Sequence, residues 1–365
     1  MRVVVAMSGG VDSSVVAGLL HEAGHDVIGV TLQLYDHGMA TGRKGACCAG
    51  QDIHDARRVA DRLGISHYVI DAEERFAKAV IGNFADSYAR GETPVPCITC
   101  NETVKFADLS ALARDLGAER LATGHYVRRL DGPDGAELHR ATDPARDQSW
   151  FLFATTRSQL DMCLFPLGCM EDKRTVRDVA QRLGLGVAEK PDSQDICFVP
   201  SGTYTDVIAK TRPDALQAGE IVTADGRIVG SHDGIARYTV GQGKRLGPAS
   251  MLDGQRQIVV ATEPGRRRVI VGPRGTGTQT VSLRDVNWLI PMPAHALRCA
   301  VKLRAREEPR PATVQTDGAS TIVTLDEPAL PAPGQACVFY LGNRVLGGGL
   351  IMRAAAPAVQ ERLTA

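Results

Sequence analysis

Val3-Val4-Val5-Ala6-Met7-Ser8-Gly9-Gly10-Val11-Asp12-Ser13-Ser14 is an apolar strand-like run that passes through two adjacent glycines into a helix-like stretch. Adjacent glycines permit a tight turn that other residues would strain. The amides of such a turn, with the free N–H groups that open the next helix, make an anion site. Ser8, Ser13 and Ser14 add hydroxyl donors suited to phosphate oxygens. Asp12 would repel a phosphate, so its expected role is to fix the loop or to hold a magnesium ion. No Gly-Lys-Ser/Thr follows, which excludes a Walker A loop. The plain alternative is a Gly-Ser turn without function; a strand before it and a helix after it argue for a nucleotide phosphate instead.

Outward from this loop, the first 200 residues alternate strand-like and helix-like stretches. Strands are expected at Val3–Met7, Val27–Leu34, His67–Ile70 and Arg120–Thr123. Helices are expected at Ser13–Ala23, Asp52–Leu63, Glu74–Arg90 and Asn101–Leu116; the last three each stop at a glycine, the usual C-terminal signal. This alternation predicts an α/β fold, a doubly wound parallel sheet with helices on both faces. Ligands of such sheets bind beyond the carboxyl ends of the strands, where Ser8–Ser14 lies.

After about residue 210 the pattern changes to short alternating stretches with many glycines, as at Glu220–Thr223 and Arg227–Val229. From residue 280 onward six short strands follow at hairpin spacing, ending with Gln335–Tyr340 and Val345–Ile351. We therefore expect a nucleotide-binding catalytic domain at 1–210, a small β-rich middle domain at 211–279 and a C-terminal β-barrel at 280–365.

The chain has 365 residues and a formal net charge of zero. Residues 1–210 carry 23 Lys and Arg against 29 Asp and Glu, a net −6; residues 211–365 carry 19 against 13, a net +6. The basic half includes Arg266-Arg267-Arg268, Arg274, Arg298, Lys302, Arg304, Arg306 and Arg310. It fits either a polyanion such as RNA or an ordinary solvated face. No apolar run approaches membrane-spanning length, and the N-terminus reads directly into a strand, so a cytoplasmic enzyme is expected. In that compartment the nine cysteines read as thiols, metal ligands or catalytic groups rather than structural disulfides.

Cys97-Ile98-Thr99-Cys100-Asn101 follows a proline-stiffened segment and precedes a helical stretch. With Asn101 as N-cap, Cys100 would sit at the positive end of a helix dipole and become a reactive thiolate. Cys197 lies in a polar loop, Lys190 to Phe198. The bland reading makes Cys97 and Cys100 an inert loop pair and Cys197 a packed residue. The adjacent Cys47 and Cys48 do not match spaced zinc pairs, and Cys163, Cys169, Cys299 and Cys337 read as core.

The Ser8–Ser14 loop resembles the pyrophosphate loop of the ATP-pyrophosphatases, which split ATP into AMP and pyrophosphate. Further signatures lie along the chain: Cys100-Asn101 leading to Lys105-Phe106, Leu121 to Arg128, Asp147-Gln148-Ser149, Asp192–Phe198, Tyr238 to Gln242, Phe339-Tyr340 and Leu346 to Gly349. Together, and in this order, they resemble the bacterial and mitochondrial tRNA-specific 2-thiouridylases, from residue 1 to about residue 353. That resemblance implies ATP binding by Ala6, Met7, Ser8, Gly9, Gly10, Val11, Asp12 and Ser13, with Leu32 and Gly124 lining the nucleotide. It places Val95, Pro96 and Cys97 at the target base, and Arg146, Asp147, Gln148, Arg304 and Ala305 at the tRNA. It makes Cys197 the persulfide carrier and Cys100 its partner nucleophile. The implied partners are tRNA and a sulfur-donor protein; the implied cofactors are ATP and magnesium.

The residue types suit that chemistry. A uracil carbonyl oxygen is a poor leaving group until adenylation lets it depart as AMP. Sulfur can then arrive from a cysteine persulfide, while a second thiol releases sulfide or closes a disulfide. The reacting base must be flipped out of the anticodon loop to reach both. Two departures stand out. Arg304-Ala305 lacks the family's usual aromatic residue, and Cys97 stands where many members have an aspartate with an acid–base role. The resulting Cys97, Cys100 and Cys197 set also matches a [4Fe–4S] cluster with one open iron, a minority alternative to the persulfide. Two other functions compete: a small-metabolite synthetase, which would not need Cys100 and Cys197, and a non-enzymatic RNA-binding module, which would not turn over ATP.

Overall fold

The computed structural model describes residues 1–35, 48–192, 196–199, 202–318 and 320–354. Strands β1 (Arg2–Ala6), β2 (Asp26–Gln33), β3 (Ser66–Asp71) and β4 (Arg120–Ala122) fall within a residue or two of expectation. A hairpin, β5 (Val127–Gly132) and β6 (Gly135–Arg140), and the short β7 (Cys163–Leu164) complete the first half. The first sheet runs β3-β2-β1-β4-β7 with every pairing parallel. Val3, Val4 and Val5 are fully buried, because helices cover both faces of such a sheet. Val3 and Val5 pack with α1 (Val11–Glu22), α2 (Cys48–Leu63) and α6 (Lys173–Arg182), while Val4 packs with Phe106 and Leu109 on the opposite face.

Two helices pass through π-helical turns: α3 across residues 73–89, widened at Ala77–Gly82, and α4 across 96–115, widened at Asn101–Lys105. The expected start of α4 at Asn101 is corrected by five residues. Val95 is the extended N-cap and Pro96 occupies the first turn, where its missing N–H and fixed φ cost nothing. Asn101 is mid-helix, and Cys100 lies in the second turn rather than at the dipole's positive end. Helices α5 (Arg157–Met162), α6 and α7 (Tyr204–Thr211) escaped the sequence reading.

The middle sheet runs β10-β11-β12-β8-β9, from β8 (Gly219–Thr223), β9 (Ile228–His232), β10 (Met251–Leu252), β11 (Gln255–Glu263) and β12 (Arg268–Pro273). The last six strands are β13 (Thr278–Trp288), β14 (Leu297–Lys302), β15 (Arg310–Asp317), β16 (Ser320–Ala329), β17 (Ala336–Leu341) and β18 (Arg344–Ile351). They are antiparallel in the order β13-β16-β15-β14-β17-β18, and β13 pairs β18 to close the barrel. Closure leaves no open edge between these strands. The hairpin β5–β6 joins this sheet through Arg344 opposite His139, not the parallel sheet. One apolar cluster accordingly contains Trp150, Phe153 and Leu138 from the first half with Val338, Tyr340 and Val345 from the barrel. Among the described residues, no helix is long and apolar enough to cross a membrane.

Candidate active site

The strand order reverses direction between β1 and β4, and a cleft of about 570 Å³ opens beyond their carboxyl ends. This is where an open parallel sheet takes its ligands. Ala6, Met7, Ser8, Gly10, Val11, Asp12, Ser13, Leu32 and Gly124 all line it. Gly9 lies behind the loop. Its φ is +75°, and a Cβ there would stand 2.1 Å from the Asp52 carbonyl oxygen. At Gly124 a Cβ would meet the Ser13 amide nitrogen at 3.0 Å and the Asp12 Cβ at 3.1 Å. The loop after β4 therefore rests directly on the first turn of α1.

Hydrogen bonds within the loop leave its hydroxyls unequal. The Ser8 amide donates to Ser13 Oγ at 3.1 Å, and the two hydroxyls lie 3.2 Å apart. Ser14 is buried and donates to the Gly10 carbonyl at 2.8 Å. Of the three serines expected to face phosphate, Ser8 and Ser13 line the cleft and Ser14 closes the turn.

Asp12 takes the first of the two roles expected for it. Its carboxylate accepts from Tyr126 Oη at 2.6 Å and from Lys173 Nζ at 2.7 and 2.8 Å. Burial and this bond raise the Tyr126 phenol well above its ordinary range, so it stays a donor. Lys173 also pairs with Asp192 at 2.8 Å, and Asp192 with Arg146 at 2.7 Å. Burial opposes ionisation of Asp192, but Lys173 and Arg146 together hold its carboxyl below the usual range. Lys190 spans the other side, donating to Gly9 O at 2.9 Å, Asp52 at 2.7 Å and Asp55 at 2.6 Å. The loop is thus fixed by two lysines that sequence reading passed over, although Lys190-Pro191-Asp192 stood next to a highlighted cysteine.

Cys97 and Cys197 line the same cleft as the loop, and both are exposed. Cys100 is 4% exposed and packs with Phe76, Phe84, Val104 and Phe198. Phe198 is edge-on to Phe84 at 5.3 Å and to Phe76 at 5.8 Å, which pins the Cys197 segment against α3. Burial pushes the Cys100 thiol up; Cys197 keeps surface open to the cleft but is crowded by protein atoms on its other sides, and that desolvation pushes it up to about 11, while Lys105 pulls both down. The low thiol pKa expected of Cys100 is therefore reversed: Cys100 and Cys197 rest as protonated thiols.

Lys105 also faces the cleft. Burial disfavours its charge, but negative charge on the sulfurs of Cys100, Cys97 and Cys197, when it forms, outweighs that and raises its pKa. His125, stacked on Phe106 at 5.9 Å and 2.9 Å from Thr123 Oγ1, is driven down to about 3 by burial and by Lys105. It is neutral at any working pH. Among the described residues, no three His, Cys, Asp or Glu side chains are arranged to hold a metal ion. Cys47 and the side chain of Cys48 lie outside the described residues, and the described cysteines, Cys100 and Cys197 among them, are free thiols.

The remaining expected residues divide. Arg146 and Gln148 line the cleft. The Asp147 carboxylate between them is 2% exposed and accepts from Arg140 Nε, the Ala141 and Ser149 amides and Ser149 Oγ. An RNA contact there would fall to its backbone. Val95 and Pro96 lie behind Cys97, half-buried and buried. Arg304 is remote from the cleft lining, donating to Val240 O at 3.2 Å, and Ala305 packs against the core shared with the barrel. Cys163, Cys299 and Cys337 are buried as expected; Cys169 is exposed, contrary to its apolar sequence context. Much of the basic half is neutralised internally: Arg298 pairs with Asp326, Arg268 with Glu220 and Arg310 with Glu307, and Lys302 is buried. Arg266, Arg274 and Arg306 make no ion pair among the described residues.

Three family models match the chain: "tRNA methyl transferase HUP domain" over residues 1–201, "tRNA methyl transferase PRC-barrel domain" over 205–273 and "Aminomethyltransferase beta-barrel domain" over 278–351. The curated relatives carry a different activity in their names. A "tRNA-specific 2-thiouridylase MnmA" of Acidiphilium cryptum is 69% identical across 96% of this chain and 100% of that protein. Its namesake in Gluconobacter oxydans is 61% identical across 96% and 99%, and that of Rhodospirillum centenum 58% identical across 99% and 94%.

Proposed function

The chain belongs to the tRNA-specific 2-thiouridylase family, and we propose that it replaces the 2-oxygen of the wobble uridine of tRNA by sulfur at the cost of ATP. The observation that carries this reading is the meeting of a phosphate-binding loop with the Cys97 and Cys197 thiols across one cleft. An ATP-dependent synthetase needs only the first; a sulfur-transfer enzyme needs both.

In this reading the Ser8–Ser13 loop and the opening amides of α1 hold the ATP phosphates, with Leu32 and Gly124 flanking the nucleoside. Magnesium carried on those phosphates would offset their charge; the Asp12 carboxylate is already occupied by Lys173 and Tyr126. The uracil O2 attacks the α-phosphorus and pyrophosphate leaves. The terminal sulfur of a Cys197 persulfide then attacks C2, and AMP leaves. The Cys100 thiolate attacks Cys197 Sγ, forming a Cys100–Cys197 disulfide and leaving the sulfur on the base. Two electrons from an external thiol reductant reset the pair, and a sulfur-donor protein reloads Cys197. The base and its flanking nucleotides meet Val95, Pro96, Cys97, Arg146 and Gln148, and the barrel residues Arg304 and Ala305 meet the body of the tRNA.

The test is thiolation of unmodified tRNA with ATP, magnesium and a sulfur donor, read by retardation in a mercury gel. Cys100→Ser and Cys197→Ser should each abolish turnover and leave ATP binding intact. Full thiolation by either variant would remove that thiol from the scheme. Iron and acid-labile sulfide, measured in an anaerobic preparation, should be absent from protein that thiolates; their presence in stoichiometric amounts would favour a cluster instead.

A further inference from the structure

Two lysines line the cleft, Lys105 and Lys190, and a third, Lys173, backs the cleft-lining Asp12; their partners differ. Lys173 is held by Asp12 and Asp192, and Lys190 by Asp52 and Asp55. Lys105 makes neither an ion pair nor a hydrogen bond among the described residues, although it faces the same cleft. Its neighbours are Cys97 and Cys100 on its own helix, Cys197 from the loop held by Phe198, and the neutral His125 beyond β4. None of these offers a permanent negative charge. An ammonium placed in a half-enclosed site without a counter-ion is costly, and the cost is recovered only when an anion arrives.

The backbone is shaped to put it there. Along a regular α-helix, residues four apart drift by about 40° around the axis, so Lys105 would stand about 80° from Cys97. The π-helical turn at Asn101–Lys105 widens the spiral and cancels part of that drift. Cys97, Asn101 and Lys105 consequently all face the cleft. Single π turns of this kind recur at functional sites.

We propose that Lys105 is the positioning residue for the anionic sulfur carried at Cys197, the counter-ion that lets a terminal persulfide stay ionised until C2 is activated. The assignment rests on the reading of Cys197 as the sulfur carrier. A hydropersulfide is a stronger acid than its parent thiol, so loading sulfur onto Cys197 creates the charge that Lys105 lacks. Before loading, the Cys197 thiol stays protonated and resists stray oxidation; after loading, the ammonium selects the nucleophilic form. Lys173, Lys190 and Arg146 are bound to carboxylates around the nucleotide loop, whereas Lys105 stands on the helix that carries Cys97 and Cys100.

Alkylation of the full-length protein, without ATP or tRNA, tests this directly. Iodoacetate carries a negative charge and iodoacetamide does not, so the ratio of their rates at one thiol reports the local potential. The exposed Cys169 serves as reference within the same chain, each site being read by peptide mass spectrometry. The ratio at Cys197 should exceed that at Cys169 by about tenfold, the order expected of one unpaired charge facing the same cleft. Lys105→Met should bring it down severalfold and move the pH profile of Cys197 alkylation upward; Lys105→Arg should restore both. A wild-type ratio no greater than that of Cys169 overturns the proposal even if the methionine variant fails to fold. So does a folded Lys105→Met protein with an unchanged ratio and pH profile. Because the assay needs no turnover, a chain that fails to thiolate tRNA yet shows the Lys105 effect separates the two readings.

Discussion

At the scale of single residues, two glycines set how closely the nucleotide loop can be built. Gly9 combines a positive φ with an approach to the Asp52 backbone that no Cβ can share. Gly124 has no such backbone constraint, but a Cβ there would press the Ser13 amide and Asp12 by a few tenths of an ångström. The two substitutions should therefore separate. Gly124→Ala should keep its melting temperature and weaken ATP binding by about tenfold, or 1.4 kcal/mol, because the first turn of α1 is pushed out of register with the phosphates. Gly9→Ala should also lose about 1–3 kcal/mol of stability to strain. Calorimetric titration with ATP beside a thermal melt checks both; unchanged affinity in the pair would remove the loop from nucleotide binding.

At the scale of elements, the Cys197 segment is held to α3 through Phe198, whose ring meets Phe76 and Phe84 edge-on, and Cys100 and Val104 of α4 share that cluster. Phe198→Ala should cost about 3 kcal/mol, the usual price of an emptied aromatic site, and should free Cys197 from Lys105. Denaturant melts measure the first effect. The second appears as a loss of the iodoacetate preference at Cys197 while ATP affinity stays unchanged; retention of that preference would show that the loop is held by something else. This element also marks the limit of sequence reading. Strands β1 to β4 and the six barrel strands were legible because apolar period and glycine stops are local signals. The start of α4 was not, since Asn101 mimics an N-cap and only the fold reveals that Pro96 opens the helix. Nor was the π turn, which leaves no pattern in composition. The loop glycines and the two cleft-lining thiols could be named from sequence. Lys105, Lys173, Lys190 and Tyr126 could not be ranked, because their roles depend on which carboxylates the fold brings to them.

At the scale of the whole molecule, the sequence suggested three consecutive domains, and the first and last are joined more closely than that implies. The hairpin β5–β6 lies early in the chain but extends the barrel sheet. Trp150 is buried in the cluster shared with Val338, Tyr340 and Val345, and its indole N–H donates to the Lys302 carbonyl of β14 at 3.4 Å. Segment 91–95, which leads into Cys97, is tied to all three parts: Thr93 accepts at its carbonyl from Gln335 at 2.8 Å, Thr93 and Thr239 hydroxyls meet at 3.1 Å, and Thr262 donates to the Gly91 carbonyl at 3.0 Å. The barrel interior and the middle domain keep apolar clusters of their own, but the cluster shared by the first half and the barrel crosses their boundary and should make those two parts unfold together. The chain's two tryptophans make this measurable, since Trp150 reports the shared core and Trp288, packed on Phe339 at 5.2 Å, reports the barrel interior. In the single-tryptophan variants Trp150→Phe and Trp288→Phe, each urea midpoint moves with the variant's own stability, so the comparison is made against far-ultraviolet dichroism in the same sample. Fluorescence and dichroism should trace one coincident transition in both variants, because the barrel loses a wall of its support when the first domain opens. A barrel signal that persists after the dichroism of the first domain is lost would mean the two fold separately, and that the tie at 91–95 positions the thiols without contributing to stability.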